Sequence, residues 1–403
     1  MVDEYLPVRR SLRVAVVSET YPPEVNGVAA TISRVVDGLR LRGHELQLVR
    51  PRQSPAEAAA GDEGFHEVLM RGLPIPRYPQ LKMGLPAKRA LLDLWATHRP
   101  DVVHLVTEGP LGWSALQAAV QLRLPVVSDF RTNFHAYSRH YGLAWLRSPI
   151  MTYLRKFHNR TACTMVPAED LRRELDVSGF RRLRVVSRGV DTESFTPARR
   201  SDALRRAWGA EPQTPVALCV GRLAPEKNLD TLLAAYEAMR RRAPATRLVL
   251  VGDGPERASL QQRCPGAIFA GMRRGEDLAS HYASADIFLF PSLTETFGNV
   301  VPEAMASALA VVAYDYAAAR QLLRQGDNGV LARYADRDDF CMRAAQMVEQ
   351  PARARAMGQQ ALRTARQLDW ARVVEAVETE YLVALAQQVD FARPGWMPAV
   401  PTT

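Results

Sequence analysis

The chain has 403 residues, of which 47% are hydrophobic, and 52 basic against 43 acidic residues leave a net charge of +9 with a pI near 9.6. That length exceeds what one core usually holds, so two domains are expected, and the apolar content suffices to fill both. No apolar run approaches the roughly 18 residues of a membrane span and no signal peptide fits before the first strand, so a cytosolic protein is expected.

Along the chain, strand patterns alternate with helical ones, which predicts an α/β protein with parallel sheets covered by helices on both faces. In the first half, strands are expected over 13–18, 46–50, 102–106, 126–129 and 164–167, and a segment through 185–187 closes a domain spanning 1–190. The loop after the first strand, 19–27, carries two prolines and ends in Asn26-Gly27 ahead of a helix over 28–40. It is not a Gly-X-Gly-X-X-Gly fingerprint, and no acid closes the second strand where a ribose would need one, which argues against a nicotinamide role. Gly27 at the helix start could instead present N–H groups to a phosphate and its sugar. Further on, 128–137 follows a strand and opens toward the same edge, with Arg131 and His135 as candidate ligand contacts, and Glu108 after the strand 102–106 is another.

In the second half, strands are expected over 216–220, 247–252, 267–270, 287–291 and 310–313, within a domain 191–370. The segment Gly221-Arg-Leu-Ala-Pro-Glu-Lys-Asn228 lies between a buried strand and an amphipathic helix capped at Asn228. Arg222 and Lys227 therefore sit at the carboxyl edge of a parallel sheet, where open α/β folds collect ligands and where two cations can neutralise a diphosphate. Gly221, Gly252 and Gly254 at neighbouring loop tips permit close backbone approach. Glu295 and Glu303 flank the turn Phe297-Gly298-Asn299, and Val300 follows in a helix expected over 299–309, whose first N–H groups favour an anion. Carboxylates beside a phosphate site repel the phosphate but accept hydrogen bonds from sugar hydroxyls, so a nucleotide-sugar fits the pattern.

Asp336-Arg-Asp338 has the Asp-X-Asp spacing of a divalent-cation site, but it precedes a helix over 340–349, where Asp is an ordinary cap, and no metal is expected. Cys163, Cys219, Cys264 and Cys341 lack paired spacing and are expected as free thiols. A helix over 370–387 precedes the end of the chain, giving a segment 371–390 and a tail 391–403 expected to be mobile. Basic and aromatic residues gather between Arg131 and Arg160, among them Tyr137, Arg139, His140, Tyr141, Trp145, Arg147, Tyr153, Arg155, Lys156, Phe157 and His158. Such a face suits an anionic membrane leaflet, and no nucleic-acid-binding signature accompanies it.

Five segments together resemble the retaining glycosyltransferases of family four. They are Ser-Glu-Thr-Tyr-Pro-Pro-Glu-Val-Asn-Gly-Val at 18–28, Arg-Gly-Val-Asp-Thr-Glu-Ser-Phe-Thr-Pro at 188–197, the Gly221 to Asn228 loop, Val-Gly-Asp-Gly-Pro at 251–255 and Pro-Ser-Leu-Thr-Glu-Thr-Phe-Gly-Asn-Val-Val-Pro-Glu-Ala at 291–304. Within that family the chain looks like enzymes that glycosylate lipids, including mycobacterial mannosyltransferases and sulfoquinovosyl diacylglycerol synthase. The resemblance implies a GT-B architecture, two Rossmann-like doubly wound domains facing a central cleft, with the last helix returning to the first domain. It implies transfer of a hexose from GDP-mannose or a UDP-hexose to a lipid or glycolipid hydroxyl, by a front-face reaction without a nucleophilic carboxylate and with no cofactor besides the donor. It puts Glu303 on the ribose, Gly27 on the donor and base recognition at 272–276. Relatives carry a histidine against the sugar's primary hydroxyl where this chain has Arg131, so either Arg131 or His135 takes that role. A sugar-nucleotide epimerase of similar architecture and a non-enzymatic basic binding protein are the competing readings.

Overall fold

A computed structural model describes residues 11–24, 26–75, 78–131 and 147–392. In the first lobe the strand Arg13–Val17 buries every residue after its first, because helices cover both faces of the sheet. The sheet has eight strands in the order Leu183–Val185, Cys163–Val166, Val126–Asp129, Val102–Leu105, Arg13–Val17, Glu45–Pro51, Phe65–Met70, Gly61–Asp62. All pairs are parallel except the last, which is antiparallel. In register, Val14 lies beside Leu46 on one side and Val102 on the other.

The second sheet is parallel throughout, in the order Ile268–Gly271, Arg247–Val251, Val216–Val220, Ile287–Phe290, Ala310–Tyr314, Val330–Ala332. Val216–Val220 is buried along its whole length, as a central strand between helical layers requires. The expected strands occur, with ends shifted by one or two residues. Phe65–Met70, Gly61–Asp62, Val330–Ala332 and a hairpin of Gly72–Ile75 with Tyr78–Gly84 were not expected. They are edge or near-edge strands, short or half-exposed, so they lack the continuous apolar run that marks the central ones.

The helix Gly27–Leu41 turns Ala29, Ile32, Val36 and Leu39 into the first core, and its apolar spacing is met by Val374, Val377, Tyr381 and Ala384 of the closing helix Trp370–Ala392. The two cross so closely that a Cβ on Gly38 would lie 2.4 Å from Val374 Cγ2. Glu378 of the closing helix binds the Arg42 guanidinium and the His44 ring, and the Tyr381 hydroxyl lies 2.8 Å from His104 Nδ1. The chain therefore ends on the first sheet after completing the second. Polar contacts tie the two sheets' flanks together: Arg320 to Asp170 at 3.1 Å, Gln321 Nε2 donating to Ser187 Oγ at 3.0 Å, and an Arg34–Asp191 ion pair. No helix among the described residues is long and apolar enough to cross a membrane. The four cysteines are free, Cys163 and Cys219 buried and the other two half-buried. Residues 393–403 of the expected tail lie outside the described residues.

Candidate active site

Val216–Val220 and Ile287–Phe290 pair directly, Ala217 beside Ile287, so the loops that follow them leave the sheet edge side by side. Residues distant in sequence meet there. Lys227 Nζ donates to Glu295 Oε1, and Ser292 Oγ donates to the same oxygen at 2.7 Å. The Tyr316 hydroxyl fixes the turn by donating to the Glu295 carbonyl at 2.9 Å. Both charged side chains are largely covered, Lys227 at 20% and Glu295 at 11% exposure, which keeps the pair from being a screened surface contact. Arg222 is more open, with Nη1 at 3.7 Å from the buried Glu226. Asn228 starts the helix Leu229–Arg242 with left-handed backbone, φ 53°, but its side chain does not cap. It donates to the Pro291 carbonyl at 3.2 Å instead, clipping the cation loop to the end of the neighbouring strand.

The glycines divide by role. A Cβ on Gly252 would lie 1.9 Å from the Gly221 carbonyl oxygen, and one on Gly254 would lie 2.3 Å from that of Leu223. These two glycines thus have a packing requirement of their own, letting the loop bonds Gly221 N to Val251 O and Leu223 N to Asp253 O form at 3.0 and 2.9 Å. Gly221 has φ 150° and open space beside it. In the acidic turn, Gly298 has φ 98°, which permits the reversal, and Phe297 is a buried core anchor whose carbonyl accepts from Ala318 N at 2.9 Å. Its ring therefore belongs to the core rather than to a ligand surface.

Beyond the turn, the helix runs Val300–Ala306, shorter than the expected 299–309. Glu303 sits in its first turn, partly buried, and accepts from the Tyr282 hydroxyl at 2.8 Å. Burial pushes its carboxyl up to about 7, with the Tyr282 hydrogen bond opposing. Across the cleft, the helix Gly27–Leu41 begins opposite Asn299: a Cβ on Gly27 would be 3.4 Å from Asn299 Nδ2. Asn26 Oδ1 caps that helix by accepting from Val28 N and Ala29 N. Met272, where base recognition is expected, is half exposed after the strand Ile268–Gly271, and Glu276 pairs with Arg199 at 3.2 Å.

On the first sheet, Arg131 is buried and forks onto Asp129 Oδ2, which also lies 2.9 Å from His104 Nε2. Burial alone would raise the Asp129 carboxyl, yet Arg131 and His104 hold it well below the ordinary range. His135 lies outside the described residues, as do Tyr137, Arg139, His140, Tyr141 and Trp145. Glu108 turns inward, 3.2 Å from His158 Nε2, rather than into the cleft. His158 and Phe157 are themselves buried, which removes both from the expected basic and aromatic face. Tyr153, Arg155, Lys156 and Arg160 remain on the surface, and Lys156 and Arg160 sit over the Trp113 ring at 6.0 and 5.6 Å. Asp336 Oδ1 accepts from Asp339 N at 2.9 Å, capping the helix Arg337–Glu349, and Arg333 binds its other oxygen.

Three polar groups of this region were not expected. Asp129 was legible, being an acid at the end of an apolar strand on a sheet's carboxyl edge. Tyr282 and Glu19 carry no such mark. Glu19 accepts from Leu111 N at 2.8 Å, capping the helix Pro110–Gln121 from a distant loop, and burial pushes its carboxyl up to about 7 against those backbone bonds.

Residues 25–194 match the family described as Glycosyltransferase Family 4, and residues 214–350 match Glycosyl transferases group 1. A GDP-mannose-dependent alpha-mannosyltransferase of Mycobacterium tuberculosis is 37% identical over 79% of this chain and 83% of its own. The one from Mycolicibacterium smegmatis is 34% identical over 94% of this chain and 99% of its own, and the sulfoquinovosyl transferase of Arabidopsis thaliana is 29% identical over 91% and 73%. Among solved structures, sucrose-phosphate synthase of Thermosynechococcus elongatus superposes with a TM-score of 0.75 at 18% identity, covering 93% of this chain and all of that one.

Proposed function

The chain belongs to glycosyltransferase family four and has its two-lobed GT-B fold, and on that premise we propose that it moves a hexose from a nucleoside-diphosphate sugar to a hydroxyl of a lipid or glycolipid, with retention. One observation carries the reading: Lys227, Arg222, Glu295 and Glu303 converge at the carboxyl edge of one sheet, with Gly27 of the other sheet against Asn299. The GDP-mannose-dependent relatives favour GDP-mannose over a UDP-hexose as donor. Lys227 and Arg222 take the diphosphate and stabilise its charge as it departs. Glu303 accepts from the ribose hydroxyls, and Glu295 holds Lys227 while facing the sugar. Gly27, without a side chain, presents its backbone to the distal phosphate and the hexose. The departing phosphate then receives the acceptor's proton on the same face, so catalysis is positioning plus charge stabilisation. Segment 191–370 is the donor domain, and 1–190 with the closing helix is the acceptor side.

The exposed Tyr153, Arg155, Lys156 and Arg160 suit contact with the anionic inner leaflet, each cation contributing about 1 kcal/mol before screening. Thermal unfolding with GDP, UDP and ADP tests the reading first: a diphosphate at 100 times its dissociation constant adds about 2.7 kcal/mol of stability, and a flat response to all three removes the donor site.

Because two cations stand where a metal would act and Asp336 is engaged as a helix cap, transfer is expected to persist in excess EDTA. Activity that vanishes with chelator and returns with magnesium or manganese refutes this.

Diphosphate binding is also expected to respond to pH through Glu303. The free carboxyl titrates near 7, and ribose hydroxyls favour the ionised form, so binding releases a proton and affinity falls as pH drops below 7. The fall is at most about tenfold per pH unit. Calorimetry at pH 6 in buffers of different ionisation enthalpy reads the released proton. Glu303→Gln must abolish that part of the release; an unchanged release assigns it to another group.

A further inference from the structure

Arg188 stands in the loop after the strand Leu183–Val185 and is 6% exposed. Its Nε and Nη1 have no hydrogen-bond partner among the described residues. The side chain lines a small cavity together with Asp129, Arg131, Thr31, Val373 and Val377, with room for about one water-sized oxygen. The Thr31 hydroxyl donates to the Gly27 carbonyl at 2.7 Å, which sets this cavity one helical turn from the glycine that faces Asn299. Next to Arg188, Ser187 accepts from Gln321 of the second lobe, so the cavity lies where the lobes meet.

The charges here do not balance. Two guanidiniums share one carboxylate, Asp129, and Arg131 already forks onto it. Burial and the proximity of Arg131 lower the Arg188 pKa well below that of an ordinary guanidinium. Buried N–H groups without a partner are costly, and such groups are completed by water or by a ligand. The supporting groups are fixed from behind: Tyr381 of the closing helix holds His104, His104 holds Asp129, and Asp129 holds Arg131. The cavity admits one oxygen against the Arg188 N–H groups, and the rigid frame holds Arg131 beside it, the setting for a single oxygen of an oxyanion.

We propose that Arg188, with Arg131 beside it, forms an oxyanion subsite where the two lobes meet, and that it receives one oxygen of a carboxylate or phosphoryl group carried by one of the two substrates. That the group comes from a substrate rests on the transferase reading; the subsite itself rests on the buried Nε and Nη1 of Arg188.

The test begins with thermal unfolding of the full chain in acetate, sulfate and phosphate at constant ionic strength, with chloride as the reference, for the wild type, Arg188→Met and Lys227→Met. Acetate and sulfate are expected to raise the wild-type midpoint, to do so still in Lys227→Met, and to raise it less in Arg188→Met, where only the site of Lys227 and Arg222 remains. Arg188→Met in chloride is expected to unfold at or above the wild-type temperature, since it removes an unpaired buried charge. The same oxyanion response in wild type and Arg188→Met, or none in either, overturns the proposal and leaves Arg188 satisfied by water. Should Arg188→Met fail to fold, Arg188→Lys keeps a charge without the Nε–H and guanidinium plane and must bind the anions about tenfold more weakly; unchanged affinity overturns the proposal. Transfer rates with donors and acceptors that carry or lack the oxyanion locate its source. Arg188→Lys is expected to reduce the preference for the charged form about tenfold on one arm, sugar or acceptor; no change on either arm overturns the proposal. An intact anion response in a protein that transfers nothing counts against the transferase reading alone.

Discussion

Lys227→Ala and Arg222→Ala are each expected to lower kcat by about 100-fold or more, the scale seen when one donor to a developing negative charge is removed. Both cations stand on a loop clipped to the end of the strand Ile287–Phe290 through Asn228, so neither needs to reorganise as charge moves onto the leaving diphosphate. The loss belongs in turnover more than in KM, because the charge grows in the transition state. The two variants differ in stability. Lys227→Ala leaves Glu295 with Ser292 as its remaining side-chain donor in a largely covered position, at a cost of about 1–3 kcal/mol. Arg222, more exposed and 3.7 Å from Glu226, costs less. Adding Glu295→Ala to Lys227→Ala is expected to recover stability without recovering turnover, which separates the structural share of the pair from its chemical share. Near-normal kcat in both single variants would falsify the phosphate assignment.

Glu303→Ala and Glu295→Ala are expected to separate donor recognition into two halves. Glu303 accepts from Tyr282 within the helix beyond the turn, and on the proposed reading it holds the ribose. Its removal weakens the bare nucleoside diphosphate and the full donor alike, by about ten- to a hundredfold, the worth of a hydrogen bond to a charged group at roughly 1.5–3 kcal/mol. Glu295 stands beside Lys227, so Glu295→Ala spares diphosphate affinity or raises it by releasing the ammonium, while use of the full donor falls. Titration calorimetry with the diphosphate and kinetics with the intact donor read the two effects. Equal losses of diphosphate affinity in both variants would place Glu295 on the nucleotide and refute its assignment to the sugar side.

The same glutamate pair shows how far local pattern reaches. A buried strand, a Gly-containing turn and a helix start are written in 287–303, and they put two acids at a sheet edge without any knowledge of neighbours. That Lys227 closes on Glu295 follows only from the pairing of Val216–Val220 with Ile287–Phe290, a long-range register that no window of sequence contains. Gly252 and Gly254 look like ligand-facing tips in isolation, and the structure adds a second demand on them, the carbonyls of Gly221 and Leu223 within contact distance.

The class of the fold and the central strands were legible from local pattern, because continuous apolar runs between amphipathic helices have one economical arrangement, a parallel sheet buried on both faces. So were the loops that carry charge at the carboxyl edge, since strand-to-helix order fixes that edge. Tertiary structure alone decided the edge strands, the length of the helix Val300–Ala306, the inward turn of Glu108 and His158, and the seating of the closing helix on Gly38. It alone set Arg188 beside Arg131 over a single carboxylate, bringing together three loops whose charges look solvated when read one at a time. Burial is a property of the assembled layers, and with it come the desolvation that raises Glu303 and the N–H groups left without a partner at Arg188.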